Sequence, residues 1–318
     1  MNKLLTVVIP CFNEEEILTT TFKKLDIILS NLIKQNKVNS NSKLLFVDDG
    51  SKDSTWNLIK NEEEVNSHIC GLKLSRNYGH QNALIAGMSK AIQYSDMIIT
   101  IDADLQDDET VIYDMVDKYL SGVDIVYGVR DDRQTDTQFK RNTANIFYRL
   151  MNKIGIELIP NSADFRLMSK RAVNELLKFK ERNLFLRGLV PLVGFSTDKV
   201  FYSRKKRMAG NSKYTLGKML KLAWNGITSF SIAPIKLILF LGIFIVLFSI
   251  IMIVYTLIQH LRGHIVAGWS SIIISIWLIG GIQLICISII GEYIGKIFNE
   301  VKERPRFIID IDDYSNRF

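Results

Sequence analysis

The chain has 318 residues, which is long enough for one large domain or for two smaller ones. Its net charge of +7 does not indicate a nucleic-acid-binding protein, because the basic residues cluster beside two apolar runs in the last third of the chain. The three cysteines have neither the spacing of a metal site nor the pattern of a disulfide framework, which favours a reduced, cytosolic main domain.

The first part of the chain alternates short apolar runs with amphipathic segments. Helical periodicity indicates a helix after each of the first four apolar runs, and the first two helices have predicted caps at Asn13 and at Ser51 or Asp53. The third helix is predicted over 83–94. This alternation predicts a mostly parallel sheet that is covered by helices on both faces. The predicted strands are residues 4–9, 43–47, 69–74, 98–101 and 123–127.

The fourth apolar run ends in two carboxylates that flank a single small residue, Asp102 and Asp104. Side chains at positions i and i+2 of a strand share one face, so we expect the two carboxylates to converge, with Gln106 close by. Hard oxygen ligands of this kind suit Mg²⁺ or Mn²⁺ held together with the phosphates of a substrate. A solvated acidic turn is the alternative interpretation of an isolated Asp-x-Asp.

Polar residues gather where the predicted strands end. Asp48 and Asp49 follow the second strand, whereas Arg76 and Arg130 follow the third and the fifth. Open α/β sheets bind ligands along this edge, so we expect a binding site there. No Gly-x-Gly-x-x-Gly follows the first strand and the sequence has no Walker loop, which excludes the two commonest nucleotide cradles.

The segment that follows is polar, basic and less regular. It contains a short apolar stretch over 163–168, in which Asp164 and Arg166 have the pattern of a buried ion pair. Residues 204–214 are densely cationic. The pattern of residues 216–232 is typical of an amphipathic helix that lies in the membrane interface.

Two long apolar runs, at about 236–258 and 270–291, are each long enough to cross a bilayer at roughly 20 residues per span. A buried core helix is the alternative for either run. Lys and Arg crowd both outer flanks, whereas the turn between the runs carries only Arg262, so the positive-inside rule predicts that both termini are cytoplasmic. The predicted organisation is a main domain over 1–215, an interface helix over 216–232, a transmembrane hairpin over 233–292 and a cytoplasmic tail over 293–318.

Several segments, in this order, resemble the family 2 glycosyltransferases. The similarity is strongest to the membrane-bound polyprenyl-phosphate group, which includes bactoprenol glucosyltransferases and dolichyl-phosphate mannose synthases, and it extends over nearly the whole chain. The tail around Gly291 to Pro305 is similar to that of the bactoprenol members. The segments that carry the resemblance are residues 8–14, 47–51, 102–106, 163–168 and 210–214.

The resemblance implies a GT-A fold and transfer of a sugar, with inversion, from a nucleotide sugar to a polyprenyl phosphate. It implies that Asp104, helped by Gln106, ligates Mg²⁺ or Mn²⁺ on the diphosphate, and that Asp102 faces the ribose and the metal. Asp164 matches the carboxylate that is treated as a base in some accounts of the family. At His80 the chain departs from related sequences, which often carry a lysine. The residues implied to border or hold the nucleoside are Pro10, Phe12, Glu14, Asp48 and Asp49.

Phosphate binding calls for arginine forks, and Arg130 and Arg141 are the candidates for the acceptor phosphate. A phosphate monoester is largely dianionic at neutral pH, so it needs little deprotonation. We therefore expect Asp164 mainly to orient Arg166 or the acceptor. Three further cationic residues either assist the departing diphosphate or bind lipid headgroups. These residues are Arg204, Arg207 and Lys213.

The sequence thus predicts a metal-dependent inverting transferase that moves one sugar, with glucose as first choice, from a UDP-sugar to undecaprenyl phosphate at the cytoplasmic membrane face. Its product would serve modification of a cell-surface glycan, teichoic acid or O-antigen, and the expected partners include the bilayer and further copies of the chain. The alternatives are another sugar (N-acetylglucosamine, aminoarabinose or mannose), a processive polysaccharide synthase, whose Gln-x-x-Arg-Trp motif is absent from the sequence, and a non-catalytic membrane scaffold.

Overall fold

The computed structural model describes residues 2–131, 159–182, 184–203, 233–262 and 268–318. The described residues belong to two compact units. The first contains a sheet with its helices and takes in Arg304–Phe318, whereas the second contains two long helices up to Glu303. The interface helix predicted over 216–232 lies outside the described residues, as do four of the predicted phosphate-binding residues, Arg141, Arg204, Arg207 and Lys213.

Within the described residues, eight strands form one sheet in the order β7-β5-β6-β4-β1-β2-β3-β8. The pairs β1–β2, β1–β4, β2–β3 and β5–β7 are parallel, whereas β6 runs antiparallel between β4 and β5 and β8 runs antiparallel to β3. The predicted mostly parallel α/β sheet is therefore confirmed. The strands are β1 (Leu5–Cys11), β2 (Lys43–Asp48), β3 (Ile69–Leu74), β4 (Met97–Thr100), β5 (Ile125–Arg130), β6 (Ser162–Ser169), β7 (Thr197–Tyr202) and β8 (Ile309–Asp312).

The described helices fall into two groups, one for each unit. In the first unit they are α1 (Glu15–Lys34), α2 (Thr55–Val65), α3 (His80–Ala91), α4 (Ile112–Leu120), which a 3₁₀ turn (Glu109–Val111) precedes, α5 (Lys170–Lys178), α6 (Leu186–Leu192) and a last 3₁₀ turn (Ser315–Arg317). In the second unit they are α7 (Ala233–Leu261) and α8 (Trp269–Val301).

Helices cover both faces of the central strands. β1 is buried along its whole length, as expected of a parallel strand between two layers. On one face, Phe22 of α1 packs edge-to-face on Phe46 of β2 with 4.7 Å between the ring centroids. On the other face, α3 approaches so closely that a Cβ at Gly87 would lie 2.4 Å from the Val8 side chain. The carboxyl ends of the parallel strands are thereby held in fixed positions at one edge of the sheet.

The starts of three helices differ from the predictions. Ser54, and neither Ser51 nor Asp53, is the N-cap of α2. Glu14, and not Asn13, is the N-cap of α1, because Asn13 has a positive φ of 53° and its side chain accepts a hydrogen bond from the Lys52 N–H instead. Helix α3 begins at His80, ahead of the predicted 83–94 span, since Gly79 turns the chain into the helix with φ of 93°. The earlier start places His80 in the first helical turn.

The last residues of the chain form part of the sheet. The sequence predicted a tail over 293–318 and no strand, whereas β8 pairs with β3. Tyr314 has no exposed surface, and its hydroxyl lies 2.8 Å from the Thr6 hydroxyl at the start of β1. The segment Arg304–Phe318 is therefore integral to the first unit.

The second unit contains a helix with the length and composition of a membrane span. Among the described residues, one segment, Leu278–Val301, is long and apolar enough to cross a bilayer by its length and composition. A shorter apolar stretch lies in α7, at Pro234–Ile245. The chain thus has a candidate membrane-spanning helix near its C-terminus, within α8.

Candidate active site

The predicted polar residues lie where β1, β2 and β4 end. The backbone N–H of Asp49 donates to the carbonyl of Cys11, which ties the end of β2 to the end of β1. Pro10 is buried in β1, Phe12 just beyond the strand is 40% exposed, and Glu14 is the N-cap of α1. The side chains predicted to border a nucleoside thus come from this one edge of the sheet.

Asp48 and Asp49 are both buried, but they have different partners. Both carboxylate oxygens of Asp49 accept backbone N–H groups, from Tyr78 at 2.7 Å and from Gly79 at 2.9 Å. Asp48 accepts the N–H of Ser51 on Oδ1, whereas its buried Oδ2 has no hydrogen-bond partner in the part of the chain that the structure describes. Of the two candidates for nucleoside binding, Asp48 therefore has an acceptor oxygen that no described group uses, whereas Asp49 holds the neighbouring loop.

A close contact of two loops fixes the residues around Asp48. Gly50 has φ of 69°, and a Cβ at this position would lie 2.4 Å from the backbone carbon of Arg76. Only glycine avoids both the left-handed strain and the clash. The Asp48-Asp49-Gly50 turn and the loop that precedes α3 consequently form one packed surface.

The acidic loop begins just after β4. Asp102 and Asp104 are half-buried, and Gln106 is buried. Asp104 Oδ1 accepts the N–H of Gln106 at 3.2 Å, and Leu105 between them has the positive φ of 51° that is costly for a branched side chain. The tight turn places the three predicted metal-binding residues on one short, bent segment.

His80 lies between two carboxylates that are 62 positions apart in the sequence. Its Nε2 atom is 3.3 Å from Asp102 Oδ1 and 3.7 Å from Asp164 Oδ2. Burial opposes protonation of the imidazole, but the carboxylates of Asp164 and Asp102 outweigh it and raise the pKa of His80. His80 departs from related sequences, and no pattern in the sequence predicts this bridge.

Negative charge is concentrated around Asp102. Its Oδ1 is buried and makes no hydrogen bond within the described residues, although the His80 ring is near. Burial above all, together with the nearby carboxylates of Asp164, Asp107 and Asp104, raises the pKa of Asp102 to about 6. A cluster of this kind is stabilised by a cation.

Asp164 and Arg166 form the buried pair that the sequence predicted. Arg166 Nη2 donates to Asp164 Oδ1 at 2.6 Å, and both side chains are at least nine-tenths buried. Arg187 at the start of α6 approaches the same carboxylate at 3.4 Å and is 40% exposed. Two further contacts hold this helix start in place, since Leu186 donates its N–H to Gln81 and its carbonyl accepts from Arg166.

Arg130, a predicted phosphate ligand, has a partner inside the protein. Its Nε and Nη2 atoms donate to Asp107 Oδ1 at 3.0 and 2.9 Å, and the hydroxyl of Tyr202 donates to the same oxygen at 2.7 Å. Neither Asp107 nor Tyr202 was among the predicted site residues. The acidic run around Asp107 was visible, but no local pattern indicates which distant side chains would meet it.

The donor set of the acidic loop fits a divalent cation. No group of three or more His, Cys, Asp or Glu side chains with metal-binding geometry occurs among the described residues. Two carboxylates, Asp102 and Asp104, and the amide of Gln106 are nonetheless hard oxygen donors, and Asp102 has a buried oxygen without a donor. Mg²⁺ is ordinarily held by one or two carboxylates, with phosphates and water completing its coordination.

The sheet and this edge define a GT-A-like, mostly parallel α/β domain. The family model "Glycosyl transferase family 2" matches residues 6–177, more than half of the chain. The chain belongs to glycosyl transferase family 2, as its sequence motifs predicted, and it is a glycosyltransferase.

Two relatives match along almost the whole chain. The uncharacterized glycosyltransferase YkoT of Bacillus subtilis (strain 168) is 56% identical over 314 residues, which cover 99% of this chain and 93% of the relative. The SfII prophage-derived bactoprenol glucosyl transferase of Shigella flexneri is 40% identical over 307 residues, with 96% and 97% covered. The similarity thus includes the C-terminal helices as well as the sheet.

One solved structure is similar to part of this chain. The glucosyl-3-phosphoglycerate synthase of Mycobacterium tuberculosis, in complex with Mn²⁺, uridine-diphosphate and phosphoglyceric acid, is 17% identical to this chain, with a TM-score of 0.47. The match covers 71% of this chain and 76% of that chain.

Proposed function

We propose that the protein transfers one sugar from a UDP-sugar to undecaprenyl phosphate, with inversion at the anomeric carbon. Glucose is the sugar that we propose first. The observation that carries the proposal is that Asp102 and Asp164 converge beside His80 at one edge of the sheet. The same edge contains the buried oxygen of Asp48 that has no hydrogen-bond partner among the described residues. The bactoprenol glucosyl transferase relative supports the lipid acceptor, because its similarity runs through both units of the chain.

The donor side of the reaction needs positive charge. A departing nucleoside diphosphate develops negative charge on its bridging oxygen, so preorganised cations lower the barrier. Asp104, Asp102 and Gln106 would hold Mg²⁺ or Mn²⁺, which supplies Lewis-acid stabilisation of the diphosphate. Asp48 would accept a hydrogen bond from the nucleoside through its buried Oδ2.

The acceptor phosphate needs little help from a general base. A polyprenyl phosphate is already largely dianionic at neutral pH, because the second pKa of a phosphate monoester is near 6. Asp164 is engaged by Arg166 and approached by Arg187 and His80. Its role in this proposal is to hold these cations at the site of transfer, and proton abstraction is not required of it.

The apolar helices support an acceptor that is a lipid. Helices α7 and α8 have 29 and 33 residues, and roughly 20 are enough to span the hydrocarbon layer. Their described apolar side chains are largely exposed, among them Phe240 and Phe244 on α7 and Leu284 and Ile285 on α8, each more than 60% exposed. Exposed apolar surface of this extent is typical of a protein–protein or a membrane contact, and the length of the helices favours the membrane.

We propose that α7 and α8 form a two-span hairpin in the cytoplasmic membrane, with both termini and the sheet on the cytoplasmic side. The positive-inside distribution of Lys and Arg supports this orientation, since the cations lie at and beyond the two outer ends of the hairpin, whereas its turn carries Arg262 alone. Association with further copies of the chain within the bilayer is part of the same proposal.

The test is a transfer assay with the purified full chain in detergent. Radiolabelled UDP-glucose, UDP-N-acetylglucosamine and UDP-galactose are each offered with undecaprenyl phosphate, with and without EDTA. We expect lipid-linked product from one donor, loss of product with EDTA, and recovery with Mg²⁺ or Mn²⁺. Asp104→Ala should lose metal-dependent turnover, whereas Asp114→Asn, which changes an exposed carboxylate on α4, should retain it.

Two results would contradict the proposal. Full activity of Asp104→Ala would exclude the acidic loop as the cation site. UDP binding without turnover, with every donor and with the metal present, would favour the membrane scaffold with a non-catalytic nucleotide domain.

A further inference from the structure

We propose that Arg130 and Tyr202 are positioning residues for the divalent cation. They hold Asp107 in place, and Asp107 in turn holds the acidic loop that binds the cation. The inference rests on the proposed function, because it takes the loop from Asp102 to Gln106 as the cation site. It assigns to Arg130 a different task from the acceptor binding that the sequence predicted.

The geometry around Asp107 is that of a closed cluster. The side chain of Asp107 is 2% exposed, and a single oxygen, Oδ1, accepts three hydrogen bonds of 2.7 to 3.0 Å. Two come from the Arg130 guanidinium at the end of β5 and one from the Tyr202 hydroxyl at the end of β7. A buried carboxylate is costly unless it is paired and hydrogen-bonded, and here both conditions are met.

The position of Asp107 links this cluster to the cation loop. It lies three residues after Asp104 and directly after Gln106. The turn between them is strained at Leu105, whose φ of 51° persists only where the surroundings hold it. With Thr100 at the end of β4 before the loop and Asp107 after it, the oxygen donors are held between two fixed points.

Supporting residues of this kind tune a metal site without touching the ion. Hydrogen-bonded partners that orient the ligands typically change metal affinity about 10- to 100-fold when they are removed. Preorganisation of the loop by Arg130 and Tyr202 therefore predicts an effect on cation affinity. An acceptor-binding Arg130 would instead change the KM for the lipid phosphate.

The experiment uses the full chain in detergent with two variants, Tyr202→Phe and Arg130→Gln. Tyr202→Phe removes one hydrogen bond and keeps the ring that packs against Phe165 with 5.7 Å between the centroids. Lys199→Gln, which changes an exposed residue of the same strand, is the matched control. Mn²⁺ binding in the presence of UDP is measured by isothermal titration calorimetry, and the KM values for Mg²⁺ and for undecaprenyl phosphate are measured by turnover.

We expect both variants to bind Mn²⁺ roughly 10-fold more weakly and to need correspondingly more Mg²⁺. In Tyr202→Phe, kcat at saturating Mg²⁺ and the KM for undecaprenyl phosphate should stay at the control values. Wild-type Mn²⁺ affinity in Tyr202→Phe, or an increase in the lipid KM alone in Arg130→Gln, would overturn the inference. If the unmodified chain transfers no sugar, the proposed function fails, and the calorimetric comparison still decides the role of the cluster.

Discussion

Arg166 and Asp164 form a buried ion pair in which Nη2 of the arginine donates to Oδ1 of the aspartate over 2.6 Å. Burial by itself raises the pKa of Asp164, but the charge of Arg187, the neighbouring His80 and Arg166 itself outweigh it and hold the pKa well below its ordinary value. The carboxylate is consequently ionised at neutral pH. A carboxylate with so low a pKa is a weak base.

We therefore expect Asp164→Asn to lose less activity than the roughly 100-fold that is the lower bound for removal of a general base. The acid limb of its pH–rate profile should lie where it does in the unmodified chain, because proton transfer to Asp164 does not limit turnover. The measurement is kcat/KM for undecaprenyl phosphate from about pH 5 to pH 9.

Asp164→Asn also leaves the Arg166 charge without its partner, so the unfolding temperature is measured beside the rate. Glu175→Gln, an exposed carboxylate of α5, is the control for loss of one negative charge. A collapse of turnover that high pH restores, in a variant that is still folded, would show that Asp164 is an obligatory base after all.

Asp48 and Asp49 are neighbours with separable tasks. We expect Asp48→Asn to weaken UDP binding roughly 10-fold, because a hydrogen bond to a charged acceptor contributes about 1.5–3 kcal/mol. The ratio of UDP to CDP affinity should also fall, since an asparagine amide can donate to the ring nitrogen of cytosine where a carboxylate cannot. Calorimetric titration with both nucleotides gives the two affinities.

Asp49→Asn should instead destabilise the loop before α3. Both Asp49 oxygens accept backbone N–H groups from Tyr78 and Gly79, and an amide can replace only one of them. We expect a loss of about 1.5–3 kcal/mol in stability, observed as a lower unfolding temperature.

The Asp48 prediction has its own contradicting outcome. Equal UDP affinity in Asp48→Asn and the unmodified chain would remove Asp48 from the nucleoside site.

Local patterns predicted much of this fold and of its site. The apolar runs gave the strands around the sheet edge, and the Asp102–Asp104 spacing located the acidic loop, because both depend on periodicity within a few residues. The Asp164–Arg166 pair was also predictable, since residues at i and i+2 of a strand share a face.

Contacts between distant segments were not predictable. Asp107 meets Arg130 across 23 positions and Tyr202 across 95, and nothing in either segment selects that partner. The position of His80 between two carboxylates depends on where α3 begins, which Gly79 decides through its backbone conformation. One sequence without relatives contains no signal for such pairings.

Asp124 at the start of β5 predicts a pH dependence of stability. Arg171 donates to both of its oxygens and, with Ser169 and Ser196, lowers the pKa of Asp124 from 3.8 to about 2, against the opposing effect of burial. A carboxyl group whose pKa is lower in the folded than in the unfolded chain stabilises the fold above the unfolded pKa. This stabilisation is lost as the pH falls through the folded pKa.

Asp124→Asn should therefore lower the unfolding temperature at pH 7, and the difference from the unmodified chain should shrink between about pH 4 and pH 2. The control is Asp198→Asn, whose ion pair with Lys118 is partly exposed at the surface and should contribute little. A difference that is constant down to pH 2 would show that Asp124 acts through packing and not through its charge.

The burial of Tyr314 predicts that the C-terminal segment stabilises the first unit. Its ring is fully buried and its hydroxyl contacts Thr6 and Ser95, so Tyr314→Phe should cost about 1 kcal/mol and Tyr314→Ala roughly 3–5 kcal/mol of stability. Thermal unfolding of the full chain in detergent measures both, with Ile308→Ala, an exposed residue just before β8, as the control. An unchanged unfolding temperature in Tyr314→Ala would mean that β8 is dispensable, because a cavity of that size in the sheet layer must lower stability if the strand is part of the folded unit.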